Sequence, residues 1–260
     1  SRLLAGGLSA APIAGRARCG RRAARQRDRA WRGARERADA GSSGDAMIPP
    51  GISVWVFDLD NTLYPASALY DEIGERMTAY IARALAVDDA EAQTLRERYF
   101  HQYGATVVGL QRHHDVDAAD FLRDVHLADH SVLSVDGALR DSIARLPGQR
   151  IIFTNGGGGH AERVLASLGL SDVFDAVFDI EAAGLSPKPQ RESYERLVAR
   201  FGFDPRTAML IEDTLRNLPP AHEMGFATAL VGDIHPEPRP EYVQHWARDV
   251  RSLLHDWRNN

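Results

Sequence analysis

The sequence predicts an α/β fold, a Rossmann-like doubly wound parallel sheet interrupted by an inserted all-helical unit. Three observations lead there. Short apolar runs rich in β-formers alternate with helical stretches along the C-terminal part of the chain, the pattern of a parallel sheet with crossover helices. One further run of this kind, Val54–Phe57, stands apart, with only helical periodicity between it and the others. That isolated run ends in two acids, Asp58 and Asp60. An extended backbone puts residues i and i+2 on one face, here at the carboxyl edge of the sheet, where open α/β folds bind ligands.

The elements follow in order. After Thr62 the period changes: Leu69, Ile73, Met77, Ile81 and Leu85 form one stripe of a long helix. Asp88 or Asp89 starts a second helix carrying Leu95 and Tyr99, and Gly104 stops it. Phe121, Leu122 and Val125 mark a third, and Leu139, Ile143 and Leu146 a fourth that ends at Pro147-Gly148. From Arg150 onward, the strand candidates are Arg150–Phe153, Ala176–Phe178, Ala208–Ile211 and Ala227–Val231. The helices between them span His160–Leu168, Gln190–Phe201 and Pro220–Met224. Val243, Trp246, Val250 and Leu254 suggest a closing amphipathic helix over Tyr242–Trp257. The expected domains are a core of residues 47–63 and 149–260 with a helical cap of residues 64–148.

Charge divides the chain. Its 260 residues carry a formal net charge of −5 and are 44% apolar, enough for one sizeable core. Residues 1–46 hold eleven Arg against four acids, so this stretch reads as a disordered basic extension ahead of a start at Met47. An Arg-rich organelle transit peptide is the alternative. With Trp31 as its one aromatic residue, the extension is a weak nucleic-acid-binding signal. No apolar run approaches the ~20 residues of a membrane span. The single cysteine, Cys19, rules out a disulfide within one chain, which fits a cytoplasmic location.

Chemistry-bearing residues sit at the strand ends. Asp58 and Asp60 repel each other, so their pairing calls for a proton or a cation. The second strand runs into Thr154-Asn155-Gly156, a hydroxyl and an amide able to hydrogen-bond an anion, and the glycine run Gly156–Gly159 lets backbone N–H groups approach it. Capping of the following helix is the competing reading for Thr154 and Asn155. The fourth strand ends in Glu212-Asp213; a carboxylate from there, joining Asp58 and Asp60, makes a site suited to Mg²⁺. The basic partner is singled out by composition: the chain has thirty Arg and one Lys, and that Lys is Lys188, between Pro187 and Pro189. Lys is a compact point charge with three rotatable donors, whereas Arg is a planar fork, so a narrow place between carboxylate and phosphate favours Lys.

Taken in chain order, these motifs resemble the haloacid dehalogenase superfamily. D-x-D-x-T is met by Asp58, Asp60 and Thr62, the second motif by Thr154, the third by Lys188 and the fourth by Glu212-Asp213. Phe57–Pro65, Tyr103-Gly104 through Gly109-Leu110, Ile152–Gly156 with His160-Ala161, and Glu212–Asn217 resemble its pyrimidine 5′-nucleotidase branch, which often has Asp-Asp where this chain has Glu212-Asp213.

The resemblance implies a phosphohydrolase. Asp58 is then the nucleophile that forms an aspartyl-phosphate, and Asp60 the general acid and base, a role that asks for a raised pKa. It implies Mg²⁺ held by the Asp58 carboxylate, the Asp60 backbone carbonyl, Asp213 and, through water, Glu212. Lys188 neutralises phosphate charge, and Thr154 and Asn155 bind phosphate. The implied substrate is a small phosphorylated metabolite, a pyrimidine nucleoside monophosphate first, with Tyr64, Tyr103, Gln111, Arg112, His113 and His114 as candidate base contacts. Another small phosphate ester, such as a sugar phosphate, or a phosphomutase outcome is the alternative. A non-enzymatic binding protein is disfavoured because every catalytic group is present.

Overall fold

The computed structural model describes residues 50–233 and 236–259. The expected basic extension of residues 1–46 and the expected start at Met47 lie outside the described residues. Six strands form one parallel sheet: β1 (Val54–Phe57), β2 (Gln149–Phe153), β3 (Ala176–Phe178), β4 (Ala208–Glu212), β5 (Ala227–Val231) and β6 (His245–Ala247). Their order is β3-β2-β1-β4-β5-β6. Every neighbouring pair is parallel, and Phe57 lies level with Ile152 on one side and Ile211 on the other. Strand order reverses direction at β1, so the crevice beyond the carboxyl ends of β1 and β4 is the switch point at which such sheets bind ligands.

The period-two rule explains the two faces. Trp55 and Phe57 point into one apolar cluster with Ile152, Met209 and Ile211. Val54 and Val56 point into the opposite one with Ile151, Phe153 and Leu210. Helices cover both. On the first face lie α1 (Ser67–Leu85) through Leu69 and Ile73, α5 (Gly137–Ala144) through Leu139 and Ile143, α6 (Gly158–Ser167), and the terminal α9 (Val250–Asn259). On the second lie α7 (Arg191–Phe201) and α8 (Leu218–Glu223). Burial on both faces is why the strands read as continuous apolar runs.

A third cluster joins the far half of α1, α2 (Asp89–Tyr103), α3 (Thr106–His114) and α4 (Ala118–Val125), and Ile180 from the sheet domain docks into it. Asp88 caps α2 by accepting the N–H of Glu91 at 2.9 Å, and Gly104 closes it at φ 83°. Within the segment 64–148, side chains from Ile81 to Val125 form this cluster, while Leu139, Ile143 and Leu146 pack over the sheet.

The structure differs from the sequence reading in two elements. The expected closing helix over Tyr242–Trp257 is instead strand β6 followed by α9, which starts at Val250. Val243, Trp246 and Val250 fit helical spacing, but pairing of Ala229–Val231 with His245–Ala247 overrides it. Helix α3 is not among the helices read from the sequence, where Gly104 ends the preceding helix and the next apolar stripe begins at Phe121. Gly109 serves helix packing: a Cβ there would lie 2.2 Å from Tyr99 Cγ, so only glycine lets α2 and α3 approach. Among the described residues no helix is long and apolar enough to cross a membrane.

Candidate active site

Three strand ends and one strand-to-helix connection supply the site. Asp58 follows β1 directly, its N–H held by Ile211 O of β4 at 2.9 Å, so its carboxylate is fixed at the switch point. Thr62 donates its hydroxyl to Asp58 Oδ2 at 3.0 Å. Between them Asn61 takes a left-handed φ of 60°, and its Oδ1 accepts the N–H of Ala66 at 2.9 Å, starting α1 where no side chain caps it.

Lys188, on the connection between β3 and α7, reaches the same point. Its buried ammonium donates to Asp58 Oδ1 at 2.6 Å, Glu212 Oε2 at 2.8 Å and Phe153 O at 2.8 Å. Three donors meet three acceptors, the full complement of an ammonium. A guanidinium fork could not converge this way, which is the physical content of the chain's single lysine. Burial alone would lower the Lys188 pKa, but Asp58 and Glu212 hold it above its ordinary value.

Asn155 does something other than expected. Its Nδ2 donates to Lys188 O at 3.0 Å, and its Oδ1 accepts the Lys188 N–H at 2.7 Å. The amide clamps the lysine backbone instead of facing a phosphate. Thr154 is buried; its Oγ1 accepts the N–H of Gly156 at 2.9 Å, which leaves the hydroxyl proton for the cavity. Neither residue caps α6, whose N-cap is Gly157.

The acids are crowded. One oxygen each of Asp58, Glu212 and Asp213 lie within 4.8 Å of one another. Burial, and then the charge of Glu212, push Asp58 up to about 7 against the pull of Lys188. Burial and Asp58 push Asp213 up to about 6. Burial also raises Glu212, whose oxygens are engaged by Lys188 and by the N–H of Thr214 at 3.1 Å. A buried all-oxygen donor set that resists ionisation fits a hard divalent cation such as Mg²⁺.

Asp60 departs from the expectation of a raised pKa. Burial would raise it, but hydrogen bonds from His160 and Tyr64 outweigh that and hold it below its ordinary value. His160 Nε2 lies 2.9 Å from Asp60 Oδ1, and the Tyr64 hydroxyl donates to the same oxygen.

These groups line a cavity of about 470 Å³ between the sheet edge and the helices of the third cluster. None of the expected base contacts lines it. Tyr64 is buried beneath Asp60. Tyr103 bonds His113 Nε2 at 2.6 Å, Tyr99 bonds His114 Nε2 at 2.7 Å, and Arg112 lies over the Tyr103 ring. The walls are formed instead by Tyr70, Arg96, Phe100, His126 and Arg216, with Arg216 lying over the Phe100 ring at 5.5 Å. An amphipathic stripe identifies the buried face of α1 and α2 but not which exposed residues face a cleft, so Tyr70 and Phe100 left no signal. His160 begins a helical stretch beside the Thr154 motif, but nothing in its spacing places it against Asp60, 100 residues earlier.

Residues 52–225 match the model of the haloacid dehalogenase-like hydrolase family. This chain belongs to that family. The match takes in Asp58, Asp60, Thr154, Lys188, Glu212 and Asp213 together. Phosphate metabolism protein 8 of Saccharomyces cerevisiae is 30% identical over 196 residues, 68% of this chain and 60% of the yeast protein. The chain therefore spans less than two thirds of that relative's length. Among solved structures, CbbY from Rhodobacter sphaeroides in complex with phosphate superposes with a TM-score of 0.55 at 16% identity, covering 78% of this chain and 96% of CbbY. The magnesium-bound HAD-hydrolase YfnB of Bacillus subtilis gives 0.52 at 18% identity, covering 78% and 97%. At these identities the likeness to solved structures is one of fold.

Proposed function

We propose that this haloacid dehalogenase-like hydrolase is a Mg²⁺-dependent phosphomonoesterase working through an aspartyl-phosphate, with pyrimidine nucleoside monophosphates as its first candidate substrates. One observation carries the reading: Lys188 Nζ joins Asp58 and Glu212 at 2.6 and 2.8 Å, beside Asp213, at the carboxyl edge of the sheet. Support comes from CbbY, solved with phosphate, and YfnB, solved with magnesium.

Asp58 Oδ2 attacks phosphorus while the charge of Lys188 offsets that of the phosphoryl group and the Thr154 hydroxyl holds a non-bridging oxygen. Asp58, Asp213 and Glu212 are the residues that would hold Mg²⁺, which supplies charge neutralisation on the phosphoryl group. Asp60 exchanges protons with the leaving oxygen and then with water. Helices α1–α4 serve as the cap that excludes water and selects the leaving group. Phe100 and Tyr70, both exposed in the cavity wall, offer faces for a planar base, and Arg216 offers a cation.

A non-nucleotide phosphate ester is the second reading. It is favoured by the absence of Tyr64, Tyr103, Arg112 and His113 from the cavity wall. A panel of nucleotides and sugar phosphates, assayed with and without Mg²⁺, decides between them, and a 2-haloacid is its control for dehalogenation. We expect UMP and CMP to be hydrolysed with kcat/KM at least about tenfold above sugar phosphates, a gap of ~1.4 kcal/mol in transition-state binding. Equal rates would remove the nucleotide assignment and leave the phosphatase. Halide release without phosphate release would remove both.

Metal binding should depend on pH. Without metal, burial and neighbouring acids push Asp58 up to about 7 and Asp213 up to about 6 from an ordinary 3.8. The stability that their protonated forms contribute is fully present below the unfolded value and is lost as pH rises through 6 to 7. Mg²⁺ displaces those protons. Its stabilisation, ~3 kcal/mol at about a hundredfold excess over Kd, should therefore be seen at pH 8 and largely vanish at pH 5. Thermal unfolding in Mg²⁺ and in EDTA at both pH values measures this; equal shifts would contradict a carboxylate site.

A further inference from the structure

Beneath Asp60 lies a histidine cluster that the reaction scheme above leaves without a role. His160, 1% exposed, lies in the first turn of α6 and places Nε2 at 2.9 Å from Asp60 Oδ1, across 100 residues of sequence. His130 Nε2 faces His160 Nδ1 at 3.3 Å, and His130 Nδ1 lies 2.7 Å from Ala128 O. A carbonyl only accepts, so His130 Nδ1 carries a hydrogen and that ring is fixed in orientation. His126 stacks on the other side of His160, ring centroids 4.7 Å apart and 21° from parallel. These contacts bracket the His160 ring beside Asp60.

Asp60 receives two donors on one oxygen. Ionised, a carboxylate only accepts, so His160 Nε2–H donates to Oδ1, and the Tyr64 hydroxyl donates to the same atom. Oδ1 is thereby saturated, and a proton taken up by the carboxyl must reside on Oδ2.

We propose that His160 and Tyr64 are positioning residues forming a two-donor clamp on Oδ1 of Asp60, which reserves Oδ2 as the atom exchanging protons with the leaving oxygen and the incoming water. The inference rests on the phosphatase reading. In the first half-reaction Asp58 bonds to phosphorus, and the ester P–O bond breaks with its electron pair moving to the leaving oxygen. That oxygen takes the proton from Oδ2. In the second, water oxygen bonds to phosphorus, its proton passes to Oδ2, and the bond from Asp58 to phosphorus breaks, releasing phosphate. The clamp leaves Oδ2 in the same place for both steps.

The test uses the full chain with Mg²⁺ and two probes, the best substrate of the panel and p-nitrophenyl phosphate. Nitrophenolate leaves without a proton, so the first half-reaction on this probe does not need the clamp, whereas attack of water does. In His160→Leu we expect about one nitrophenolate released rapidly per chain, then turnover slowed about 100-fold, the size of a displaced general base, with KM falling alongside it so that kcat/KM stays within about twofold of the parent. On the panel substrate, whose alkoxide leaving group needs the proton, the burst should be absent. His160→Gln brings an amide N–H towards the place of the imidazole Nε2 and should recover about tenfold of the loss. A structural role alone would slow the burst and the steady state alike, and would not be rescued by Gln. If the Leu variant fails to fold, Tyr64→Phe carries the same expected burst. Parental turnover in the Leu variant, or the absence of a burst in variants that fold, overturns the clamp while leaving the phosphatase standing. A parent chain that releases no phosphate from any ester overturns both.

Discussion

Asp58→Asn is expected to reduce phosphate release by about four orders of magnitude or more, the scale seen when a nucleophile is deleted from a covalent mechanism. The amide keeps the shape of the side chain, and its carbonyl oxygen can still accept from Lys188 or Thr62. What is lost is the anionic oxygen that attacks phosphorus, so no phosphoenzyme should form. A rapid-quench mass measurement on the parent should show one added phosphoryl group, and none on the variant. Stability should change little, by about 1 kcal/mol, because two effects oppose. The variant removes a carboxylate that burial and Glu212 already push up to about 7, relieving repulsion. It also leaves one acceptor oxygen where Lys188 and Thr62 had two, while Lys188 keeps Glu212 Oε2 and Phe153 O. A variant that retains a tenth of the parental rate would show that a different group attacks.

The parts of this site that were legible are those where local chemistry and position coincide. A buried parallel strand must be apolar throughout, and the first polar residue after it must lie at the sheet's carboxyl edge; Asp58, Thr154 and Glu212 are found by that rule alone. Lys188 was legible for another reason, the near-total use of Arg elsewhere. The illegible parts depend on partners remote in sequence. Asn155 has the composition of an anion ligand or a helix cap. Only the approach of Lys188, 33 positions away, turns its amide towards that backbone. Asp60 sits in a cluster of carboxylates, from which a raised pKa follows. The donors that reverse this, Tyr64 and His160, include one that no spacing rule could have placed. Helix α3 was obscured because the glycine that permits its packing against Tyr99 is also a helix-weakening residue. Strand β6 was lost because three residues are too few for a period-two signal to outweigh a helical stripe running through them.

Lys188→Met is the substitution expected to damage both stability and turnover. Methionine fills much of the same space, but Asp58 Oδ1, Glu212 Oε2 and Phe153 O lose their shared donor in a buried setting. Breaking a buried ion pair from one side costs about 3–5 kcal/mol, because the remaining charges stay desolvated. The cost should depend on pH with a definite sign. Asp58 and Glu212 are already raised above their ordinary values, and losing the ammonium raises them further. Stability held by their protonated forms is fully present below the unfolded value and is lost as pH rises through the folded one. The variant should therefore be closer to the parent at pH 5 than at pH 8 in chemical denaturation without metal. Turnover should fall by about 10²–10³-fold even where the variant is folded, since a preorganised charge on the transferring phosphoryl group is gone. Lys188→Arg should fare little better: a planar fork on a longer stem cannot direct three donors at three converging acceptors, whatever its charge. If the Arg variant kept a tenth of the parental rate, net positive charge would be sufficient at this position, and the explanation offered for the chain's one lysine would be wrong.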